Sequence, residues 1–150
     1  MEAAKYDRKA VEGFIPHRFP FLFIDEVLEW TETRIVCTYH FKGDEFFFQG
    51  HYPGSPIVPG VILCESAMQA GAVFLSKAFQ DTGEGGSKMP VVGRMNEVKF
   101  KNIVRPGNTI RLEVSLKEKM GSAWFMNAKI LNEGKTVLTF EFACTETARP

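Results

Sequence analysis

One long apolar stretch limits the fold of this chain more than any other feature. It begins at Pro59-Gly60 and continues to about Phe79. Its pattern is helical and apolar on almost every side, and only a few residues interrupt it: Glu65, Ser66, Gln69, Ser76 and Lys77. A helix of this kind must be enclosed on most sides. The remainder of the chain must therefore supply an enclosing surface.

The remainder of the chain is composed mainly of strand-like runs. Two of them, Phe21–Trp30 and Arg34–Phe41, precede the helix, and four follow it: Val91–Lys99, Thr109–Lys119, Ser122–Asn132 and Lys135–Thr147. Runs of strands without intervening helices favour an antiparallel sheet. The sequence therefore predicts a single α+β domain over residues 1–150, with an antiparallel β-sheet wrapped around one long buried helix.

A short helix and several loops are predicted for the segments outside the strands and the long helix. A short polar helix is predicted over Tyr6–Glu12 and ends at Gly13. The segment Pro16–Pro20 is too rich in proline to be regular, since each proline disfavours helix at the residue before it. We expect an ordered irregular loop over Asp44–Pro59 and a mobile, glycine-rich loop over Asp81–Lys88.

Charge and hydropathy exclude several classes of protein. Lys+Arg and Asp+Glu both number 18, so no global field attracts nucleic acid or a membrane surface. The most apolar part of the helix, Val61–Leu75, covers about 22 Å at 1.5 Å per residue, which is too short to span a bilayer. The charged segment Met1–Gly13 has no apolar core like that of a signal peptide. We therefore expect a cytoplasmic protein that binds neither membrane nor nucleic acid.

The three cysteines, Cys37, Cys64 and Cys144, are odd in number and widely spaced. They are predicted to be small core residues in a reducing compartment, with a reactive thiol as the alternative. Together with the three histidines they show no ligand-like spacing, so we expect no metal site.

A histidine in a rigid loop is the first candidate for chemistry. His51 lies between Gly50 and Pro53-Gly54, which restrict the loop to few conformations. Histidine ionises nearest neutral pH and can accept a proton there. The structural alternative is a histidine that only hydrogen-bonds a turn.

A carboxylate follows within the apolar helix. Desolvation of Glu65 would cost several kcal/mol unless it is paired, and burial favours the protonated form that a general acid needs. Gln69 lies one turn further on the same face and is expected to hydrogen-bond Glu65. The alternative is a carboxylate that faces water at a helix end.

The start of the same helix offers backbone donors. The first N–H groups of a helix lack internal partners and carry the positive end of its dipole. Because Gly60 has no side chain, a carbonyl oxygen can approach its N–H closely. That contact would polarise a thioester during enolate formation.

These segments resemble a known family. The segments are Pro16–Leu22, Phe47–Gly54 and Pro59-Gly60-Val61 with Glu65 and Gln69, continued by Phe100, Arg105–Gly107 and Leu112–Val114. They are similar to the (3R)-hydroxyacyl-[acyl carrier protein] dehydratases of bacterial type II fatty acid synthesis. The likeness covers about residues 13–145 and implies the hotdog fold.

The resemblance also implies a mechanism. His51 of one subunit would take a proton from C2, and Glu65 of the other would protonate the leaving 3-hydroxyl, with no cofactor. Gly60, Val61 and Gln69 would bind the substrate or its oxyanion. Glu at position 65 resembles the plain dehydratase rather than the dehydratase/isomerase branch, which implies no isomerisation. The family forms dimers, often three to a hexamer.

An acyl carrier protein is acidic, so a neutral enzyme needs a local basic patch for it. We expect Lys99, Lys101 and Arg105 to supply that patch, with an ordinary solvated strand edge as the alternative.

The sequence departs from the family's usual pattern at several positions: Tyr52, Ser66, the run Gly93–Asn96, and Asn108. They leave the acyl chain length, and the choice between carrier protein and coenzyme A, open.

Two other functions remain compatible with these residues. A hotdog thioesterase would hydrolyse the acyl thioester, and free thiol would then be released. A non-catalytic acyl-binding subunit of a specialised lipid or polyketide pathway would bind the thioester without turnover.

Overall fold

A six-stranded antiparallel sheet curves around one helix of 21 residues. The computed structural model describes residues 4–80 and 88–148. Its elements are α1 (Arg8–Phe14), β1 (Glu26–Trp30), β2 (Arg34–His40), α2 (Gly60–Gln80), β3 (Lys88–Phe100), β4 (Thr109–Met120), β5 (Ala123–Asn132) and β6 (Lys135–Ala148), with a 3₁₀ turn at Phe46–Gln49. The strand order in the sheet is β1-β2-β4-β5-β6-β3, and every neighbouring pair is antiparallel. The α+β prediction is confirmed.

Alternation along the strands places the core between sheet and helix. In β5 the buried residues are Trp124, Met126, Ala128 and Ile130, at every second position. Successive side chains of a strand point to opposite faces, so one face of β5 is turned to the core. Helix α2 contacts strands β2 to β6 across this core.

A close approach between α2 and β6 depends on a glycine. A Cβ atom on Gly71 would lie 2.7 Å from Cζ of Phe142, whose side chain is buried in the core. The phenyl ring therefore occupies the space that any larger residue at position 71 would need. This contact holds the middle of the helix against the sheet.

Part of the predicted first strand is wrong. Strand β1 begins only at Glu26, because the backbone of residues 21–23 is bound by a side chain of α2 instead of by a neighbouring strand. The first helix is also displaced, to Arg8–Phe14, since the Asp7 carboxylate caps it by accepting from the N–H of Ala10 at 2.9 Å. The other strands lie within a few residues of their predicted positions. Residues 81–87 of the predicted glycine-rich loop lie outside the described residues.

The length argument against a membrane span is also wrong. The stretch Gly60–Phe79 is long and apolar enough to cross a bilayer by composition, with a mean hydropathy of 1.2. However, 67% of an 18-residue segment within this stretch is buried inside the protein. Burial against the sheet, rather than length, identifies α2 as a core helix.

The three cysteines are buried and free, as predicted for core residues. Burial raises the pKa of the Cys144 thiol to about 11 and also raises the pKa values of Cys37 and Cys64. A thiol must ionise to act as a nucleophile. The neutral form of these side chains therefore argues against the reactive-thiol alternative.

Candidate active site

The loop that carries His51 fixes the imidazole tautomer. Nδ1 of His51 lies 2.9 Å from the carbonyl oxygen of Ile57, and the N–H of Ile57 donates to the carbonyl oxygen of His51 at 3.0 Å. A carbonyl oxygen only accepts, so Nδ1 carries the hydrogen of the neutral ring. Nε2 keeps its lone pair. The half-buried His51 is thus arranged to accept a proton at Nε2.

Gln69 orients the carboxyl group of Glu65. The Gln69 side-chain oxygen accepts from the N–H of Phe23 at 2.8 Å, and its nitrogen donates to the carbonyl oxygen of Phe21 at 3.0 Å. These two backbone contacts allow only one assignment of the amide atoms. The same nitrogen lies 3.1 Å from Oε1 of Glu65 and donates to it. The contact expected from the spacing of these two residues is therefore present.

A third polar residue, His17, lies beside Glu65. Nε2 of His17 is 3.8 Å from Oε1 of Glu65. Burial lowers the pKa of His17 below its ordinary value; the Glu65 charge opposes that shift and Arg18 adds to it. Sequence reasoning did not assign His17 a role, because no periodic pattern links two residues that are 48 positions apart in the sequence. Its only signal was its place in the Pro16–Leu22 motif.

The beginning of α2 is packed against an aromatic ring. A Cβ atom on Gly60 would lie 2.7 Å from Cε1 of Phe100, so a larger residue at this position would displace the exposed Phe100 ring. No backbone acceptor for the N–H of Gly60 is found in the part of the chain that the structure describes. Close packing thus gives a second reason for the glycine, besides a free backbone donor.

One side of α2 is less enclosed than the sequence predicts. Val61 is 74% exposed, the Glu65 side chain is 25% exposed, and Met68 and Ala72 are half-buried. These four residues lie three or four positions apart and so form a single stripe along the helix. We call them the open stripe. Its presence means that the chain's own sheet does not cover all of α2.

His51 and Glu65 have different hydrogen-bond partners within one chain. Across residues 4–80 and 88–148, neither a hydrogen bond nor an ion pair joins their side chains. Each instead has its own local partners. Within one chain, the two residues that the sequence predicts as acid and base are therefore not joined by a direct contact of either kind.

Two concave regions differ in their chemistry. A groove of about 440 Å³ on the outer face of the sheet is lined largely by charged and polar residues, among them Arg34, Glu113 and Lys129. A smaller cavity, of about 140 Å³, reaches His17 and has mainly apolar walls that include Phe14 and Phe79. Apolar walls beside polar groups are typical of ligand sites. The smaller cavity therefore suits an apolar ligand better.

The predicted basic patch lies at the end of the edge strand β3. Lys99, Lys101 and Arg105 are all exposed. Oε2 of Glu97 lies 3.9 Å from Nζ of Lys99 and offsets part of its charge.

Among the described residues, no group of three or more His, Cys, Asp or Glu side chains is arranged to hold a metal ion.

Comparisons with known proteins identify relatives along nearly the whole chain. The model of the FabA-like domain matches residues 15–141. A 3-hydroxyacyl-[acyl-carrier-protein] dehydratase FabZ from Clostridium perfringens (strain SM101 / Type A) is 38% identical over 131 residues, which cover 87% of this chain and 91% of that protein. The FabZ dehydratase from Oenococcus oeni (strain ATCC BAA-331 / PSU-1) is 42% identical over 117 residues, or 75% and 81% of the two chains.

A solved structure supports the fold independently. The dehydratase heterocomplex ApeI:P from Xenorhabdus doucetiae matches with a TM-score of 0.76 at 15% identity, over 93% of this chain and 91% of that one. At that identity the likeness concerns the fold alone, and the hotdog prediction is confirmed. Since the family model and the curated relatives span most of the sequence, the chain belongs to the FabA-like family.

Proposed function

We propose that this protein dehydrates (3R)-hydroxyacyl thioesters on acyl carrier protein to trans-2-enoyl thioesters in fatty acid biosynthesis. One observation carries the proposal: Gln69 holds a carboxyl group on the open stripe of a helix that is largely buried. The position of this carboxyl suits a group that must reach a substrate, and both reported curated relatives are named as dehydratases of this kind.

The chemistry needs one base, one acid and one oxyanion donor. Nε2 of His51 takes the proton from C2 while the N–H of Gly60 donates to the thioester oxygen, where negative charge develops. Glu65 then gives its proton to the 3-hydroxyl as the bond between C3 and oxygen breaks. Water leaves, and a double bond joins C2 to C3. Proton exchange with water restores both residues, and the net reaction involves no redox change and requires no cofactor.

We propose further that His51 and Glu65 act together across a dimer interface. The open stripe leaves Glu65 and Val61 accessible to a second chain, and β3 is an edge strand of 13 residues. That strand exposes the apolar side chains of Val91, Met95, Val98 and Phe100. A long apolar edge strand invites pairing with another copy. A partner chain placed there would cover the open stripe and complete the site.

The remaining residues are assigned by position. Val61 lies next to the Gly60 donor and would contact the thioester or the partner chain. The cavity beside His17 would hold part of the acyl chain, because its walls are apolar and it approaches Glu65 through His17. Lys99, Lys101 and Arg105 would contact the acidic carrier protein at the exposed end of β3. Three such dimers would form the hexamer that the family resemblance implies.

A turnover assay tests the proposed reaction. The substrates are 3-hydroxyacyl thioesters of several chain lengths, each on acyl carrier protein and on coenzyme A, and products are identified by mass spectrometry. We expect loss of water and a trans-2-enoyl product, with the carrier-bound substrate preferred and without a cis-3 isomer. Release of free thiol without enoyl product would identify a thioesterase. Binding without any turnover would identify a non-catalytic acyl-binding subunit.

A further inference from the structure

The two oxygens of Glu65 have different surroundings. Oε1 accepts a hydrogen bond from Gln69 at 3.1 Å, and the orientation of that amide is fixed by Phe21 and Phe23. Oε2 has no hydrogen-bond partner among the described residues. An oxygen that already accepts from a donor is the poorer place for the acidic hydrogen.

His17 faces the same oxygen as Gln69. Its Nε2 lies 3.8 Å from Oε1 of Glu65, which is longer than a direct hydrogen bond but close enough for an N–H dipole on Nε2 to interact with the carboxyl group. The His17 side chain is 27% exposed, so solvent screens this contact only in part.

The buried ring nitrogen of His17 indicates its tautomer. Nδ1 is buried, and no hydrogen-bond partner for it is found within the described ranges. A hydrogen on Nδ1 would leave a buried donor unpaired, whereas a hydrogen on Nε2 would point toward Glu65. Burial lowers the pKa of His17, which favours this neutral ring. The charged groups near the ring are Glu65 of α2, Arg18 of its own segment, and Lys88 of β3, which lines the same cavity.

We propose, on the basis of the dehydratase function above, that His17 is a positioning residue that acts through Glu65. Its Nε2–H and the Gln69 amide both face Oε1, so the acidic proton stays on Oε2, the oxygen that the leaving 3-hydroxyl can reach. The same two donors stabilise the carboxylate that remains after proton transfer. Their contribution is therefore larger after the proton has left than before, which is the requirement for accelerating the step.

The test compares two substitutions of one side chain. In His17→Gln the amide nitrogen can reach the position of Nε2, whereas His17→Phe keeps a planar ring without any N–H group. Proteins labelled with [5-¹³C]glutamate are titrated by NMR, and the Glu65 signal is identified as the one that Glu65→Gln removes. Turnover is measured with a short 3-hydroxybutyryl thioester, so that a change in the cavity beside His17 does not affect the substrate.

We expect His17→Phe to shift the titration of Glu65 to higher pH and to lower kcat about 3- to 10-fold with KM nearly unchanged, with one net hydrogen-bond contribution as the upper limit. His17→Gln should restore most of both properties. Ring-¹⁵N labelling of the three histidines should show His17 protonated at Nε2 and not at Nδ1.

The inference is overturned if the Glu65 titration is the same in His17→Phe as in the wild type, or if Gln and Phe reduce kcat equally. Protonation of His17 at Nδ1 would also overturn it. A wild-type protein that does not dehydrate the substrate would instead refute the proposed function. The NMR titration would still decide whether His17 acts on Glu65, so the two failures are distinguishable.

Discussion

The two sides of helix α2 differ in what covers them. The side that includes Ala67, Ala70 and Gly71 is buried against the chain's own sheet. The open stripe on the other side begins with Val61, of which 74% is exposed, and continues through Glu65. Both sides belong to one continuous apolar sequence, so composition alone does not distinguish them.

The comparison separates what holds the chain together from what gives it chemistry. The closed side is packed so tightly that a single Cβ atom at Gly71 would overlap a phenyl ring. The open stripe instead carries a carboxyl group held by side chains. We therefore expect changes on the closed side to alter stability, and changes on the open stripe to alter turnover or association.

The largest effect is expected at the proposed acid/base pair. His51→Ala and Glu65→Ala should each lower kcat/KM for a 3-hydroxyacyl thioester by at least about 100-fold, since positioned acids and bases contribute factors of about 100 to 10,000. Steady-state kinetics measure this, with circular dichroism as the check on folding. Glu65→Gln should be similarly impaired, because it keeps the shape but has no acidic proton.

Matched controls are available on the same chain. His40 and Glu26 are exposed, and His40→Ala and Glu26→Ala should leave turnover close to the wild-type value. Near-normal activity in either site variant would remove that residue from the mechanism.

A substitution on the closed side of α2 should lower the free energy of unfolding. Gly71→Val places new atoms where Phe142 lies, and overpacking of this kind costs about 1–3 kcal/mol of unfolding free energy. The control is Gly13→Val in helix α1, where nothing lies within 4 Å of the added Cβ atom, and its effect should be small. Urea denaturation measures both. Equal stability of the two variants would contradict the packing described for the closed side.

Sequence reasoning anticipated the closed side better than the open one. The apolar pattern of residues 59–79 and the alternation in the later strands specify a helix enclosed by a sheet, because burial leaves a periodic signal. The open stripe has no such signal, since Val61 and Met68 are apolar whether this chain or a second one covers them. Only the first half of the strand predicted from Phe21 was wrong, because Gln69, a side chain distant in sequence, binds the backbone there. His17 was missed because its contact with Glu65 also joins two residues that are distant in sequence.

A substitution on the open stripe should weaken the association of two chains. Val61→Glu places a charge where a partner chain is proposed to pack, and the dimer dissociation constant should rise by at least about tenfold. Sedimentation velocity over a concentration series measures it. Ala78→Glu is the control, as Ala78 is an exposed residue of the same helix outside the open stripe. A dimer unaffected by Val61→Glu would show that no second chain covers this side.

The smallest effect on kinetics is expected at the basic patch, which lies at the end of the edge strand β3. Reversing Lys99 and Lys101 to Glu should raise KM for carrier-bound substrate several-fold and flatten its salt dependence, with a weaker effect on a pantetheine substrate. Glu97→Gln should have the opposite sign, because Glu97 offsets the charge of Lys99. Lys135→Glu, an exposed lysine in β6, serves as the control. An equal loss on both substrates would remove the patch from carrier docking.

Complementation between two inactive variants tests the shared site most directly. Chains with His51→Ala and chains with Glu65→Ala are given different affinity tags, co-expressed, and purified through both tags as heterodimers. If His51 of one chain acts with Glu65 of the other, each heterodimer contains one intact site and one site that lacks both residues. The account predicts about half of the wild-type activity per dimer. Verified heterodimers that are as inactive as the two parent variants would contradict it.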